Sequence, residues 1–316
     1  IRNKLEEILN MEYPKSKLNI LVIDSASEDA TKQISEDFLS ENLSKEKWRA
    51  IRIPRPGKSL AINHALDKIE TEFFILTDVD SSLSPNSFTD SMSLLSKNGE
   101  LGAVCGSLSH SEGTYMGAYR SRFNFLRLRE SHISSTPIFE GSMCAFRKSA
   151  ILNDRINEEI NADDSQLAII CYRNGYRAIM HHAINFTEPR FPANYQRTRS
   201  VRRAQGIFRV LLQNRDLAIG REKFNRIFLQ NFYFYVLMPW AVLPGIAIFL
   251  YGVASGVSQE ALGVETALSV IISLASIMIS KTIRTFFSGL FLLATSQILF
   301  IFGNRLSEWK PYREFV

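Results

Sequence analysis

The sequence predicts an α/β domain with a mostly parallel sheet, followed by transmembrane helices. Three observations carry that expectation. Through the first two thirds of the chain, short apolar runs ending in aspartate alternate with helix-patterned stretches, as crossover-connected strands do. From Ile227 onward charges become scarce and long apolar runs dominate. Between these parts, Arg190 to Arg226 hold ten Lys or Arg residues against only Asp216 and Glu222. The composition, 46% hydrophobic and 22% charged over 316 residues, therefore averages two unlike regions. The length suits one catalytic domain of about 200 residues plus a smaller unit.

Taken in order, the opening IRNKLEEILNMEYP reads as a helix already under way, with Ile1, Leu5, Ile8 and Leu9 on one face. Leu18–Ile23 is an apolar run of the kind buried inside a parallel sheet, and Asp24 follows it. A helix from about Glu28 leads to a second strand, Arg49–Ile53, and Ser59–Ile69 is a helix after Gly57. Phe73–Thr77 is a third strand ending at Asp78, and Leu101–Leu108 a fourth. Ala162–Asn174 reads as a helix opened by Asp163 and Asp164 and closed by Gly175. Arg197–Gln213 is a basic amphipathic helix suited to a membrane interface. In open α/β sheets ligands gather at the carboxyl ends of strands, where Asp24, Asp78 and Asp80 all fall.

Phe228–Val253 is long enough to span a bilayer, with Pro239 and Pro244 placed to kink it. Ala267–Ser280 and Phe286–Gly303 are shorter, and Lys281 and Arg284 lie between them. Ser255–Glu265 carries Glu260 and Glu265 without Lys or Arg, so that loop is expected outside and the basic segments inside. The tail, with Arg305, Lys310 and Arg313, is also basic, which three full crossings would place outside, so one of the last two segments is expected to be re-entrant or interfacial. The expected organisation is a catalytic domain over 1–190, a basic interfacial region over 191–226, two or three transmembrane segments over 227–304 and a basic tail over 305–316. A basic stripe can serve nucleic acid. This one ends where the apolar run begins, so anionic lipid headgroups account for it and nucleic acid is not an expected partner. Cys105, Cys144 and Cys171 lie far apart among apolar neighbours, which suits burial in a reducing compartment and neither a zinc site nor a disulfide framework.

Thr77-Asp78-Val79-Asp80 closes an apolar strand. Carboxylates two apart on an extended chain point the same way and address one site. Mg2+ or Mn2+ is held by one or two carboxylates while substrate phosphates supply other ligands. The plain alternative is an acidic turn. Pro56-Gly57-Lys58-Ser59 resembles the end of a P-loop, but Arg52 stands where that motif needs its first glycine. Gly57-Lys58 remains a candidate phosphate contact at a helix start. Asp163-Asp164 reads either as a helix cap or as an acidic pair in which each charge disfavours the other's ionisation and raises one pKa toward a useful base. His181 and His182 would face opposite ways on a strand, which argues against a shared metal.

These pieces, in this order, resemble glycosyltransferase family 2 from Leu18 to Gly206, in its membrane-bound branch of hyaluronan and cellulose synthase-type enzymes. The resemblance implies the GT-A fold, a Rossmann-like domain. LNILVIDSAS looks like the family's second strand, which implies that Asp24 contacts the nucleotide. RPGKSLAINHAL is similar to its Gly-Lys segment, with Lys58 on the donor side and Asn63 as the central Asn. TDVD matches its D-x-D, with Asp80 the main metal ligand, Asp78 beside it, and Mg2+ or Mn2+ as cofactor. Phe139-Glu140-Gly141-Ser142 looks like its acceptor-side glycine loop, which makes Gly141 an acceptor contact. NADDSQLA resembles its acidic element, with Asp163 on the acceptor side and Asp164 as the base. RSVRRAQG is similar to the Q-x-x-R-W helix of processive members. Aligned on Gly206, Arg199 replaces the Gln and Arg203 the Trp, while Arg202 is retained; all three are acceptor-side residues, and the lost Trp leaves processivity unassigned.

The family's first strand, with its P-x-Y-N-E signature, is absent. That implies an N-terminally truncated chain with part of the donor pocket and a sheet edge uncovered, for which activity would need an upstream extension. The implied activity is transfer of a sugar from a nucleotide-sugar, a UDP-sugar by family frequency, to a lipid-linked or polysaccharide acceptor at the cytoplasmic membrane face. Two rivals stay open: a polyprenyl-phosphate sugar synthase, and a non-catalytic membrane subunit that binds nucleotide-sugar.

Overall fold

The computed structural model describes residues 1–109, 115–151, 153–189, 191–258 and 263–306. Arg190, Glu260, Trp309, Lys310 and Arg313 lie outside the described residues. In chain order the first part runs α1 (Arg2–Leu9), β1 (Ile20–Ser25), α2 (Thr31–Asn42), β2 (Trp48–Ile53), α3 (Lys58–Leu66), β3 (Phe73–Thr77) and β4 (Ser82–Leu83). It continues with α4 (Ser87–Lys97), β5 (Leu101–Leu108), α5 (Tyr115–Ile133), β6 (Met143–Arg147), α6 (Lys148–Ile151), α7 (Asp163–Arg173) and β7 (Arg177–Thr187). Five helices follow: α8 (Ala193–Gln213), α9 (Lys223–Phe232), α10 (Met238–Ser258), α11 (Val264–Ile279) and α12 (Lys281–Ile301).

The strands form two sheets, a parallel pair β1-β2 and a five-stranded sheet of order β3-β6-β5-β7-β4. Only β5 and β7 are parallel neighbours in the larger sheet; the other three pairings are antiparallel. The expectation of a mostly parallel sheet is thus corrected to a mixed one. The cause is β6, a strand that the sequence reading did not assign. It returns antiparallel between β3 and β5, with Cys144 opposite Leu76 on one side and Cys105 on the other. β3 and β5 do run the same way, but through β6.

Alternation along these strands builds a core on each face of the larger sheet. Ala103, Cys105, Cys144 and Phe146 pack with Phe74, Leu167 and Met180 on one side. Val104, Met143 and Ala145 pack with Phe88, Leu95 and Phe186 on the other. Phe146 is fully buried, which stabilises the fold by roughly 1.5–3 kcal/mol. All three cysteines are buried and free. The smaller sheet has its own cluster of Leu5, Leu9, Ile20, Phe38, Leu39 and Trp48. α1 therefore touches both sheets, because its Lys4 donates to the Ser81 carbonyl at 2.9 Å beside β4. β1 and β3 face one another across a cleft lined by Ile20–Ser25 and Phe73–Thr77, and they belong to different hydrogen-bonded sheets.

Among the described residues, two helical stretches are long and apolar enough to cross a membrane, Lys223–Ser255 with 33 residues and Ile283–Ile301 with 19. The first is continuous through a π-helical turn at Tyr233–Leu237. Pro239 has no N–H to give the Tyr235 carbonyl four residues back, and Gln297 of α12 donates to that carbonyl at 2.8 Å instead. α8 is covered on several sides: Val201, Ala204, Phe208, Val210 and Leu211 are buried, and so are Arg199, Gln205 and Arg209. Its cations face acidic partners on the catalytic domain, and it lies against both α7 and α12.

Candidate active site

Chain segments far apart in sequence converge at the open side of the cleft. Asp24 ends β1, nearly buried; its Oδ1 accepts from the Ser27 amide at 2.9 Å. Its Oδ2 lies 3.7 Å from Arg52 Nε and has no hydrogen-bond partner among the described residues. A buried carboxylate oxygen with spare acceptor capacity suits a hydroxyl or N–H donor from a ligand.

Gly57 precedes α3 with φ 152°, a conformation that favours glycine, and its N–H donates to Ser25 Oγ at 2.8 Å. The segment is thereby tied to the end of β1. Lys58 then reaches across the cleft, donating to Asp78 Oδ1 at 2.7 Å and lying 3.2 Å from Asp163 Oδ2. Asn63 is structural: its amide both donates to the Ile156 carbonyl and accepts from the Ile156 amide, fixing the loop that leads to α7.

β3 ends at Thr77, so Asp78 to Ser81 form a turn, closed by Ser81 Oγ on the Asp78 carbonyl at 2.9 Å. The two carboxylates consequently differ instead of sharing one strand face. Asp78 is engaged by Lys58 and by Ser142 Oγ at 3.2 Å. Burial would raise its pKa, but the neighbouring Lys58 charge outweighs that and holds it below the usual carboxylate range. Asp80 is more open, with Arg199 3.9 Å away. Burial and then the Asp78 charge raise its pKa, a preference for neutralisation that a cation would reverse. No group of three His, Cys, Asp or Glu is poised for a metal among the described residues. Asp80, beside Asp78, does suit a cation whose remaining ligands come from substrate.

Asp164 follows Asp163 in the first turn of α7, whose N-cap is Ala162 with no side-chain capping bond. Asp163 is Lys58's partner. Asp164 has its pKa pushed up to about 7, first by burial and next by the Asp163 charge. The Gly141 backbone lies against it: a Cβ added there would stand 3.2 Å from Asp164 Oδ2. Gly141→Ala is therefore expected to push the Asp164 carboxyl by a few tenths of an ångström. Turnover should fall several-fold with the melting temperature within a few degrees of the parent, as kinetics and calorimetry on one preparation would show.

Sequence reasoning missed Glu188, Lys4 and Arg127. Glu188, just after β7, holds Arg199 at 3.1 Å and Arg203 at 2.6 Å, aiming both at the Asp78–Asp80 turn. Its place was legible only once β7 was known to be paired within the sheet. Lys4 binds beneath that same turn, its pKa lowered by burial against the raising influence of Glu7. Arg127 pairs with Glu140, next to Gly141, at 2.5 Å. Arg202 lines the cleft with Arg199 and Arg203; burial and then those two charges lower its pKa. His181 and His182 stack at 4.6 Å instead of facing opposite ways, because the β5–β7 register slips between Met180 and Asn185.

Residues 1–153 match the family model described as Glycosyl transferase family 2. The chain carries a glycosyl transferase family 2 domain. The match stops before Asp163, Asp164 and the α8 arginines, which join the site through geometry. Among solved structures, the mannosyltransferase PcManGT from Pyrobaculum calidifontis, in complex with GDP-Man and Mn2+, is 25% identical with a TM-score of 0.80, covering 96% of this chain and 83% of its own. TarS from S. aureus, residues 1–349 in complex with UDP-GlcNAc, shares 14% identity and a TM-score of 0.51 over 95% of this chain and 87% of that one. No curated protein sequence matches the chain. The family 2 domain has the GT-A-like α/β fold, here with a mixed sheet.

Proposed function

We propose that this chain is a membrane-bound, inverting glycosyltransferase that moves a sugar from a nucleotide-sugar to a lipid-linked or polysaccharide acceptor. The observation that supports it best is Lys58, which joins the D-x-D turn to the acidic pair at the start of α7 and so sets a donor side and an acceptor side against one another. Asp24 supplies a nucleotide contact, and Lys58 meets the diphosphate together with Arg199 and Arg203, which the resemblance assigns to the acceptor side but which Glu188 holds toward the D-x-D turn. Asp164, with its pKa near neutrality, accepts the proton of the acceptor hydroxyl as that oxygen attacks the anomeric carbon. Mg2+ or Mn2+ held by Asp80, with Asp78 beside it, would offset charge on the departing diphosphate. Gly141, Asp163 and Arg202 border the acceptor side. A UDP-sugar remains the reading for the donor, and the GDP-Man held by PcManGT makes a GDP-sugar the alternative.

Membranes containing the chain, offered a panel of radiolabelled UDP- and GDP-sugars with Mn2+, are expected to move label from one of them into a lipid or polymer fraction. Binding without any transfer would favour the non-catalytic subunit. Label confined to a polyprenyl phosphate would favour the sugar-phosphate synthase.

A further inference from the structure

We propose that Arg127 is a positioning residue of the acceptor side: through Glu140 it holds the Phe139–Gly141 loop against Asp164, and it mounts that loop on the root of the helix Lys223–Ser255. This rests on the reading of Asp164 as the base.

α5 is built with its polarity turned inward. Phe123, Arg127, Glu130 and Ser131 share one side by helical spacing. Arg127 and Ser131 are buried there, whereas Phe125, Leu126 and Ile133 on the other side are 44–56% exposed. A guanidinium is costly to bury unless its charge is met. Glu140 meets it, Oε1 accepting from Arg127 Nη1 at 2.5 Å. Burial lowers the Arg127 pKa, but the Glu140 charge outweighs it, so the guanidinium stays charged. In such a pair desolvation of both ions largely cancels their attraction, and little net stability is gained. The pair's consequence is instead a fixed place for Glu140.

Other bonds clasp the same loop. The Phe139 amide donates to Ser165 Oγ at 3.2 Å, one residue beyond Asp164. The Cys144 thiol of β6 donates to the Glu140 carbonyl at 3.2 Å. Gly141, which follows, is the residue lying against the Asp164 carboxylate. On its far side Arg127 leads to the long apolar helix. Its guanidinium carbon lies 5.6 Å from the Phe123 ring centroid, and Phe123 packs on Tyr235 of the π-helical turn with centroids 6.2 Å apart. One turn along, Glu130 accepts from Thr136 and from Asn231 of α9, both at 2.7 Å. One helix face therefore holds both the loop beside the base and the start of the apolar segment.

Charge reports this arrangement. Asp164 faces Asp163 on its own helix, Lys58 from α3, Glu140 from the loop, and the thiols of Cys105 and Cys144 from β5 and β6, while Arg202 of α8 stands toward Asp163. Burial, and after it Asp163, raise the Asp164 pKa most, and Glu140 adds to them. Removing Arg127 uncovers the Glu140 charge; removing Glu140 leaves the guanidinium uncompensated.

The test measures kcat/KM against pH for the full chain in membranes with Mn2+, using the radiolabelled nucleotide-sugar that the panel above selects. Arg127→Gln is expected to move the acidic limb to higher pH and Glu140→Gln to lower pH, each on the order of half a unit. The double variant should return the limb to the parental position. Arg127→Lys keeps the charge but not the planar fork, so the limb should stay while kcat falls several-fold. Limbs that coincide in Arg127→Gln and Glu140→Gln, or that move the same way, would overturn the proposal and leave Asp164 as the base. If Arg127→Gln does not fold, Glu140→Gln and the double variant decide: a lower limb in the first, restored in the second, sustains the proposal, and two parental limbs overturn it. A parent profile with no limb near pH 7 would bring down the base reading, and this inference with it.

Discussion

Asp164→Asn is expected to fold, bind donor and metal, and lose roughly 10²- to 10⁴-fold in kcat. The alternative role for this aspartate is helix capping, whose loss costs about 0.5–2 kcal/mol. The structure gives that role little to stand on, since Ala162 occupies the N-cap and no side chain caps α7. Asn keeps the shape of the side chain and removes only its ability to take a proton. The parent's kcat/KM should rise with pH through about 7, because the base acts when deprotonated and burial together with Asp163 holds its pKa there. Asp163→Asn should retain measurable activity and move that acidic limb to lower pH, since removing the adjacent charge favours ionisation of Asp164. A purified Asp164→Asn protein that transfers sugar at near the parental rate would return the residue to a structural role.

Asp80→Asn should abolish turnover and weaken Mn2+-dependent UDP binding, whereas Asp78→Asn should do less to that binding. The turn geometry separates the two. Asp78 already has Lys58 and Ser142 on its two oxygens, while Asp80 faces the cleft with Arg199 at 3.9 Å. Losing Asp78 leaves Lys58 its second partner, Asp163 at 3.2 Å. Calorimetric titration with UDP, with and without Mn2+, reads this directly. Unchanged metal-dependent binding in Asp80→Asn would remove Asp80 from the metal site.

What was legible in the sequence were features that act locally. Leu101–Leu108 announces a buried strand by being apolar throughout, and it is one, buried at every residue. Gly175 marks the end of α7 and has φ 83°. β6 was not legible, because MCAFR is a short apolar run after Gly141-Ser142 with no turn signal that says which neighbour it will join. The direction of pairing is a long-range property, and the parallel expectation failed on it. Glu188 was hidden for a similar reason: a single acid before a proline acquires meaning only when β7 delivers it to two arginines of α8. The α8 cations are a different case. Their density suggests a lipid surface, but charge composition does not say where each side chain points, and Arg199, Arg203 and Arg209 face acids.

The split between the sheets has a mechanical consequence. Asp24 rides on the β1-β2 pair, while Asp78 and Asp80 ride on the five-stranded sheet. Within each raft a backbone ladder fixes each strand against its neighbours; among the described residues no ladder joins β1 to β3. Side chains span the split, among them α1 with Lys4 on one raft and Leu5 on the other, and the bond of the Gly57 amide to Ser25 at the head of α3. A nucleotide diphosphate that reached from Asp24 to Asp80 would be a further strut, fastened at both ends. Its binding would then tie the two rafts together through the donor site itself.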